Sequence, residues 1–130
     1  MEKTEKKENR FGLLGRNISY SFSQGYFTQK FKDLGLTDHS YENFDIPRIS
    51  DFSTLITQNN LSGMNVTIPY KEQVIPFLSH MDDTARAIGA VNVIKFGPQG
   101  LTGYNTDFFG FQKSLEPFLQ PHHTKALILG

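Results

Sequence analysis

The stretch Ala90-Val-Asn-Val-Ile-Lys-Phe-Gly-Pro-Gln-Gly-Leu-Thr-Gly-Tyr104 predicts two strands joined by a tight turn. Residues 90–96 form a largely apolar run, residues 97–100 have the Gly-Pro composition of a turn, and residues 101–104 predict a short strand. Two strands joined by so short a turn lie antiparallel to each other. The stretch therefore predicts one hairpin and leaves open the kind of sheet that contains it.

On both sides of this hairpin, strand patterns alternate with helix patterns. Short apolar runs predict further strands at residues 11–15, 41–46, 62–68 and 125–130. Helical spacing and capping residues predict helices at residues 21–34, 51–58, 83–88 and 106–119, and a short helix at 71–78 that Pro76 breaks. This alternation predicts an α/β layered domain, with a mostly parallel sheet, helices on both faces and one antiparallel hairpin strand.

The chain has 130 residues, a formal net charge of zero and no cysteine. This length predicts one domain, or one domain plus the first element of another. Neutral charge argues against a nucleic-acid partner, because that binding depends on neutralising phosphates. No apolar run reaches the roughly 20 residues that span a bilayer, and residues 1–10 predict a charged, flexible tail rather than a secretory signal. We expect a cytoplasmic protein, and the histidines have no neighbours that indicate a metal site.

Polar side chains recur where the predicted strands end. Ligands of open α/β sheets bind beyond the carboxyl ends of the strands. The residues that the sequence delivers near those ends are Ser21, Ser23, Asn65, Thr67, Lys71, Asn92, Asn105, Thr106 and Asp107. Hydroxyls, amides, one cation and one anion together suit a small polyhydroxylated ligand, which needs both donors and acceptors.

Each of these residues also has an ordinary structural explanation. The two serines and Asp107 can cap helices, Thr67 is common in strands, and Lys71 can be an exposed lysine. Asn92 interrupts an apolar strand and needs hydrogen-bond partners, which a neighbouring loop can supply. The combination carries the hypothesis of a site. If Lys71 and Asp107 reach one cavity, the pair can exchange a proton with a ligand hydroxyl.

Four short motifs resemble the ordered signatures of the shikimate dehydrogenase family. They are Gly15-Arg-Asn-Ile-Ser-Tyr-Ser-Phe-Ser23, Asn65-Val-Thr-Ile-Pro-Tyr-Lys71, Gly89-Ala-Val-Asn92 and Gly103-Tyr-Asn-Thr-Asp107. The resemblance extends from about residue 11 to residue 130, and the second motif is the most specific. It implies the family's N-terminal substrate-binding domain and a reversible, NADPH-linked reduction of 3-dehydroshikimate to shikimate.

The resemblance also implies a role for each matching residue. Lys71 would be the catalytic acid/base, with Asp107 as its partner. Ser21 and Ser23 would bind the substrate carboxylate. The residues implied to hold ring hydroxyls are Thr67, Asn92 and Asp107. Asn65 and Thr106 are implied to support the site. Asp83 and Gly130 are implied to approach the NADP cofactor.

The chain departs from the family pattern in two places. Gln24 stands where many members have proline. The family continues beyond the position of Gly130 with a glycine-rich phosphate-binding turn, and it supplies a glutamine and a tyrosine to the substrate from that later part. The resemblance therefore predicts a tail at 1–10, a shikimate-binding catalytic domain at 11–120, and a linker with the first strand of an NADP-binding Rossmann domain at 121–130.

Two other functions fit the same motifs. One is a non-catalytic module that binds a cyclitol acid, and the other is a quinate/shikimate dehydrogenase. We expect the isolated chain to be inactive, because a chain without a nucleotide-binding half cannot position the hydride donor. We expect the full-length protein to be a monomer or a homodimer.

Overall fold

A computed structural model describes residues 8–130 of the chain. The strands are β1 (Asn9–Gly15), β2 (His39–Asp45), β3 (Gly63–Val66), β4 (His80–Met81), β5 (Val93–Gly97) and β6 (Gly100–Tyr104). The α-helices are α1 (Ser23–Asp33), α2 (Phe52–Gln58), α3 (Asp83–Ile88) and α4 (Asp107–Leu115). Single 3-10 turns span Ile49–Asp51, Ile75–Phe77 and Glu116–Phe118.

The strands form one six-stranded sheet in the order β2-β1-β3-β5-β6-β4. β1 is parallel to β2 and β3, and β4 is parallel to β6. β5 runs antiparallel to both of its neighbours, β3 and β6. The predicted α/β class, the mostly parallel sheet and the hairpin are confirmed, and the reversed strand is the first strand of the hairpin. The start of β5 therefore lies at the same edge of the sheet as the ends of β1, β3 and β6.

Adjacent residues of β1 point to opposite faces of the sheet, as the pleat requires. Leu13 belongs to a small core beneath α1, together with Ile18 and Tyr41. Leu14 belongs to a larger core on the other face, which includes Phe52 of α2 and Ala85 of α3. The prediction of helices on both faces is therefore confirmed. Phe52 is fully buried, a burial that stabilises the fold by roughly 1.5–3 kcal/mol.

Several predicted element boundaries were wrong. The short helix predicted at 71–78 is a turn followed by the 3-10 segment Ile75–Phe77, which contains the predicted helix breaker Pro76. The helix predicted at 106–119 ends at Leu115 and continues only as a 3-10 turn containing Pro117. β1 begins at Asn9, inside the segment predicted as a tail, whereas residues 1–7 of that segment lie outside the described residues.

The strand predicted at residues 125–130 is not formed. Leu127, Ile128 and Leu129 are 82%, 94% and 84% exposed. An apolar run becomes a strand only where a neighbour accepts its backbone hydrogen bonds and covers its side chains. Within residues 8–130, no strand of the sheet pairs with this segment. None of the described helices is long and apolar enough to cross a membrane.

Candidate functional site

A cavity of about 470 Å³ opens at the edge of the sheet where β1, β3 and β6 end and β5 begins. Its polar lining comes from five separate segments of the chain. These residues are Ser21, Ser23, Asn65, Thr67, Lys71, Asn92 and Asp107. Tyr20, Phe22 and Tyr26 add aromatic surface on the side of α1. The structure thus brings together the residues that the sequence predicted as catalytic and substrate-binding.

Lys71 and Asp107 form an ion pair in this cavity. The distance from Lys71 Nζ to Asp107 Oδ2 is 2.5 Å, and the two side chains are 34% and 54% exposed. The segment of Lys71 is fixed at its backbone, because Val91 N donates to Lys71 O at 2.7 Å. This bond places Lys71 beside the start of β5. The ammonium and the carboxylate are therefore held close together at a solvent-accessible position.

Asn92 holds the other oxygen of the Asp107 carboxylate. Asn92 is 9% exposed, and its Nδ2 donates to Asp107 Oδ1 at 3.0 Å and to Thr106 Oγ1 at 2.8 Å. Its Oδ1 accepts from the backbone amide of Thr106 at 2.7 Å. Both the nitrogen and the oxygen of this buried amide are thus hydrogen-bonded, as a polar group inside a protein should be. It fixes the start of α4, and with it the direction of the Asp107 side chain.

The helix-cap explanation for Asp107 does not describe what the structure shows. Thr106 occupies the N-cap position of α4, and Asp107 is the first helical residue. The amide of Phe108 instead donates to Asn105 Oδ1 at 3.0 Å, and Asn105 Nδ2 donates to Ala90 O at 3.1 Å. Sequence reasoning placed Asn105 at this edge without giving it a role. Asn105 ties the start of α4 to the segment before β5.

The loop between β1 and α1 carries the two serines, and Asp45 fixes it. Asp45 Oδ1 accepts from the amide of Asn17 at 3.0 Å, and Asp45 Oδ2 accepts from the amide of Ile18 at 3.1 Å. Asn17 has φ of 55°, a left-handed conformation that asparagine tolerates better than most residues. Sequence reasoning missed Asp45, because an aspartate at a strand end is ordinary.

The serine hydroxyls face the cavity and contact each other. Ser21 Oγ donates to Ser23 Oγ at 3.3 Å and accepts from the backbone amide of Ser23 at the same distance. The N-cap position of α1 belongs to Phe22, which lies between them. Gln24, the departure from the family pattern, is the second residue of α1 and leaves both hydroxyls in the cavity.

Asn65 and Thr67 form the floor of the cavity at the end of β3. Asn65 Oδ1 accepts from the hydroxyl of Tyr41 at 2.8 Å. Tyr41 is 5% exposed, and burial raises the pKa of its phenol well above its ordinary value, while a hydrogen bond with the Ser23 side chain offsets part of that rise. Sequence reasoning missed Tyr41, because a tyrosine is a common strand residue.

The two residues predicted to approach NADP do not line this cavity. Asp83 is the first residue of α3, a helix capped by the Asp82 side chain through Ala85 N at 2.9 Å. A Cβ added at Gly130, the last residue of the chain, would meet nothing within 4 Å. A pyrophosphate site needs a glycine-rich turn at a helix N-terminus. The approach of Asp83 and Gly130 to NADP therefore stays a prediction. Residues 8–130 also contain no cluster of side chains suited to a metal ion.

The chemistry available in the cavity is proton transfer beside a polar, hydroxyl-binding surface. The ammonium of Lys71 donates, the carboxylate of Asp107 accepts, and Asn92 fixes the carboxylate from behind. The serines and Thr67 add hydroxyls that both donate and accept. The arrangement fits a ligand with several hydroxyls and an oxygen that gains or loses a proton.

Comparison with known proteins gives a consistent result. Residues 13–94 match the family model of the shikimate dehydrogenase substrate binding domain. The chain is 39% identical over 122 residues to shikimate dehydrogenase (NADP(+)) of Clostridium botulinum and 41% identical over 123 residues to that of Staphylococcus aureus. Each alignment covers 92% of this chain, and 47% and 45% of the relative. The chain thus spans about half the length of these relatives.

Solved structures show the same likeness. The structure of shikimate dehydrogenase 1 from Peptoclostridium difficile has a TM-score of 0.75 and 38% identity, covering 84% of this chain and 41% of that one. A Thermus thermophilus structure, described as shikimate 5-dehydrogenase in complex with shikimate, has a TM-score of 0.76 and 32% identity. That match covers 84% of this chain and 42% of the other.

Proposed function

The chain belongs to the shikimate dehydrogenase substrate-binding domain family, and from this premise we propose that it binds shikimate and 3-dehydroshikimate. We propose that it serves as the substrate-binding and acid/base part of a reversible NADPH-linked reduction of 3-dehydroshikimate to shikimate. This reaction belongs to the biosynthesis of chorismate and the aromatic amino acids. The protein that contains this chain would work in the cytoplasm, as a monomer or a homodimer.

One observation carries the proposal: Lys71 Nζ lies 2.5 Å from Asp107 Oδ2 inside a cavity lined by hydroxyls and amides. Reduction of a ketone to an alcohol requires a proton at the oxygen. Lys71 supplies that proton, and Asp107 holds the ammonium toward the reacting oxygen. General acid catalysis by a positioned side chain accounts for roughly 10²–10⁴-fold in rate.

The rest of the cavity divides the ligand between two walls. Ser21 and Ser23 bind the carboxylate on the side of α1, while Thr67 and Asn92 hold ring hydroxyls near the proton-transfer pair. Thr106 supports the site through its hydrogen bond with Asn92, and Asn65 supports it through its hydrogen bond with Tyr41. The relatives named above carry NADP(+) in their names, and NADPH supplies the hydride in the proposed reaction. The site for NADP lies mostly outside the described residues, with the segment near Gly130 at its border.

The proposal is tested with the full-length gene product and the variant Lys71→Met. We expect shikimate with NADP⁺ to produce reduced cofactor, measured by absorbance, and Lys71→Met to lower kcat by roughly 10²-fold or more. The matched control is Lys95→Met, which removes an exposed lysine from the middle of β5, outside the lining of the cavity.

Each outcome has a distinct meaning. Equal activity of Lys71→Met and Lys95→Met would refute the role of Lys71. Turnover of quinate but not of shikimate would replace the substrate. Tight shikimate binding by calorimetry without turnover by the full-length product would favour a binding module instead.

A further inference from the structure

We propose that Tyr41, which lies outside the cavity lining, is a positioning residue that sets how Asn65 presents its polar groups to the bound ligand. The inference rests on the proposed function only for the identity of that ligand. Its basis is the hydrogen bond from the Tyr41 hydroxyl to Asn65 Oδ1, at the floor of the cavity.

The surroundings of Tyr41 bring three separate segments together. Ser21 Oγ donates to Ser23 Oγ, and the Ser23 side chain lies next to the phenol of Tyr41 on β2. The Tyr41 hydroxyl in turn donates to Asn65 Oδ1 on β3 at 2.8 Å. Tyr41 therefore bridges from the edge strand β2, across β1, to the wall of the cavity.

The Tyr41 bond decides which end of the Asn65 amide faces the ligand. Asparagine carries one acceptor oxygen and one amino group with two donors. Because the oxygen accepts from Tyr41, the amino group is left for the cavity that Asn65 lines. Asn65 then presents donors beside the serine hydroxyls, an arrangement that suits an anionic oxygen such as a carboxylate.

Tyr41 is itself held rigidly. Its ring stacks on Phe27 of α1, with centroids 4.7 Å apart and an interplanar angle of 16°. It is 5% exposed and belongs to the core beneath α1. The stacking on Phe27 and the burial of the ring together restrict the direction of its hydroxyl. Burial also keeps the phenol in its neutral, donating form, because it disfavours the phenolate.

The test uses Tyr41→Phe in the full-length gene product, with Tyr70→Phe as its matched control. Tyr70 is 1% exposed, and its hydroxyl donates to Ile46 O at 2.5 Å, away from the residues that line the cavity. Both variants delete one buried phenolic hydroxyl. We expect Tyr41→Phe to raise KM for shikimate roughly tenfold, with kcat changed by less than about twofold. Tyr70→Phe should leave KM within about twofold of the original.

A double-variant cycle separates positioning from general destabilisation. In an Asn65→Ala background, the Asn65 partner is already absent, so Tyr41→Phe should raise KM by less than about threefold. An unchanged KM in Tyr41→Phe would overturn the proposal. So would an equal rise in KM for Tyr41→Phe and Tyr70→Phe, or full additivity with Asn65→Ala.

A second measurement does not depend on shikimate. In ¹⁵N-resolved NMR spectra, the side-chain amide signals of Asn65 should move in Tyr41→Phe and stay in place in Tyr70→Phe. Absence of shikimate turnover by the unaltered protein would refute the proposed function alone. Unmoved Asn65 signals in Tyr41→Phe would refute the positioning role, whatever the ligand.

Discussion

Replacing Asp107 by asparagine should disable proton transfer with little effect on folding. The carboxylate makes two bonds with different oxygens, to Lys71 Nζ at 2.5 Å and to Asn92 Nδ2 at 3.0 Å. An amide has one oxygen and one amino group, and both neighbours are donors. In either orientation, the amino group of Asp107→Asn faces a donor, so one of the two bonds is lost.

The size of each effect follows from exposure. Because the two side chains are 34% and 54% exposed, solvent screens their attraction, and the ion pair contributes no more than about 1 kcal/mol to stability. Ligand binding should weaken by a similar amount, about fivefold in KM. The proton-transfer step depends on where the ammonium is held, so kcat should fall by roughly 10²-fold or more.

Steady-state kinetics of the full-length gene product, together with urea unfolding, measure these effects. The matched control is Glu116→Gln, which removes the carboxylate of the exposed Lys113–Glu116 pair, whose charged atoms lie 3.2 Å apart. That variant should keep kcat within about twofold, since surface ion pairs contribute little. A kcat within threefold of the original in Asp107→Asn, or a loss of several kcal/mol in stability, would refute this reasoning.

Three further predictions concern the surroundings of the cavity. Asp45→Asn should loosen the serine loop, because an amide side chain can accept only one of the two backbone hydrogen bonds that the carboxylate accepts. KM for shikimate should therefore rise roughly threefold to tenfold at nearly constant kcat, and an unchanged KM would contradict this prediction. Burial raises the pKa of the Tyr41 phenol, so the unfolded chain loses this proton at a lower pH than the folded protein does. The stability that depends on the neutral phenol is therefore complete below the ordinary pKa of 10.0 and declines as the pH rises above it. Between about pH 10 and about pH 11.5, the free energy of unfolding measured with urea should fall more steeply for the original protein than for Tyr41→Phe, by up to about 1.4 kcal/mol per pH unit. Equal dependence of stability on pH in the two proteins would contradict this prediction. Gly15→Ala should lower the free energy of unfolding by about 1–3 kcal/mol, because its Cβ would lie 2.8 Å from Thr67 Cγ2. Gly110→Ala, which has open space in α4, should raise the free energy of unfolding by up to about 1 kcal/mol. Thermal unfolding of both variants tests this prediction, and equal effects would contradict it.

The sequence predicted the layers of the fold well, because burial leaves a periodic pattern. Leu13 and Leu14 illustrate this relation, since a strand covered on both faces is apolar at successive positions. The direction of β5 has no such signature, because a period of two is the same in both directions. The apolar run 125–130 has no strand partner among residues 8–130, so its assignment as the first strand of a further domain stays a prediction.

The sequence predicted the site residues that belong to recognisable motifs. It did not predict the residues whose role depends only on their neighbours in the folded protein. Lys71, Asn92 and Asp107 belong to the family motifs, and the structure places them in one cavity. Tyr41 and Asp45 act through hydrogen bonds to residues 24 and 27 or 28 positions away in the chain. A tyrosine within a strand and an aspartate at its end are common, so only their spatial neighbours distinguish them.

The reversal of β5 has a consequence for how the site assembles during folding. Asn92 and Asp107 are 15 residues apart, and the chain between them is little more than the hairpin of β5 and β6. Closing so short a loop costs little entropy, and hairpins form within microseconds. Lys71 is 36 residues from Asp107 and joins across separate segments. The anionic half of the pair is therefore a local structure that can form early, and the lysine arrives at a carboxylate whose direction is already set.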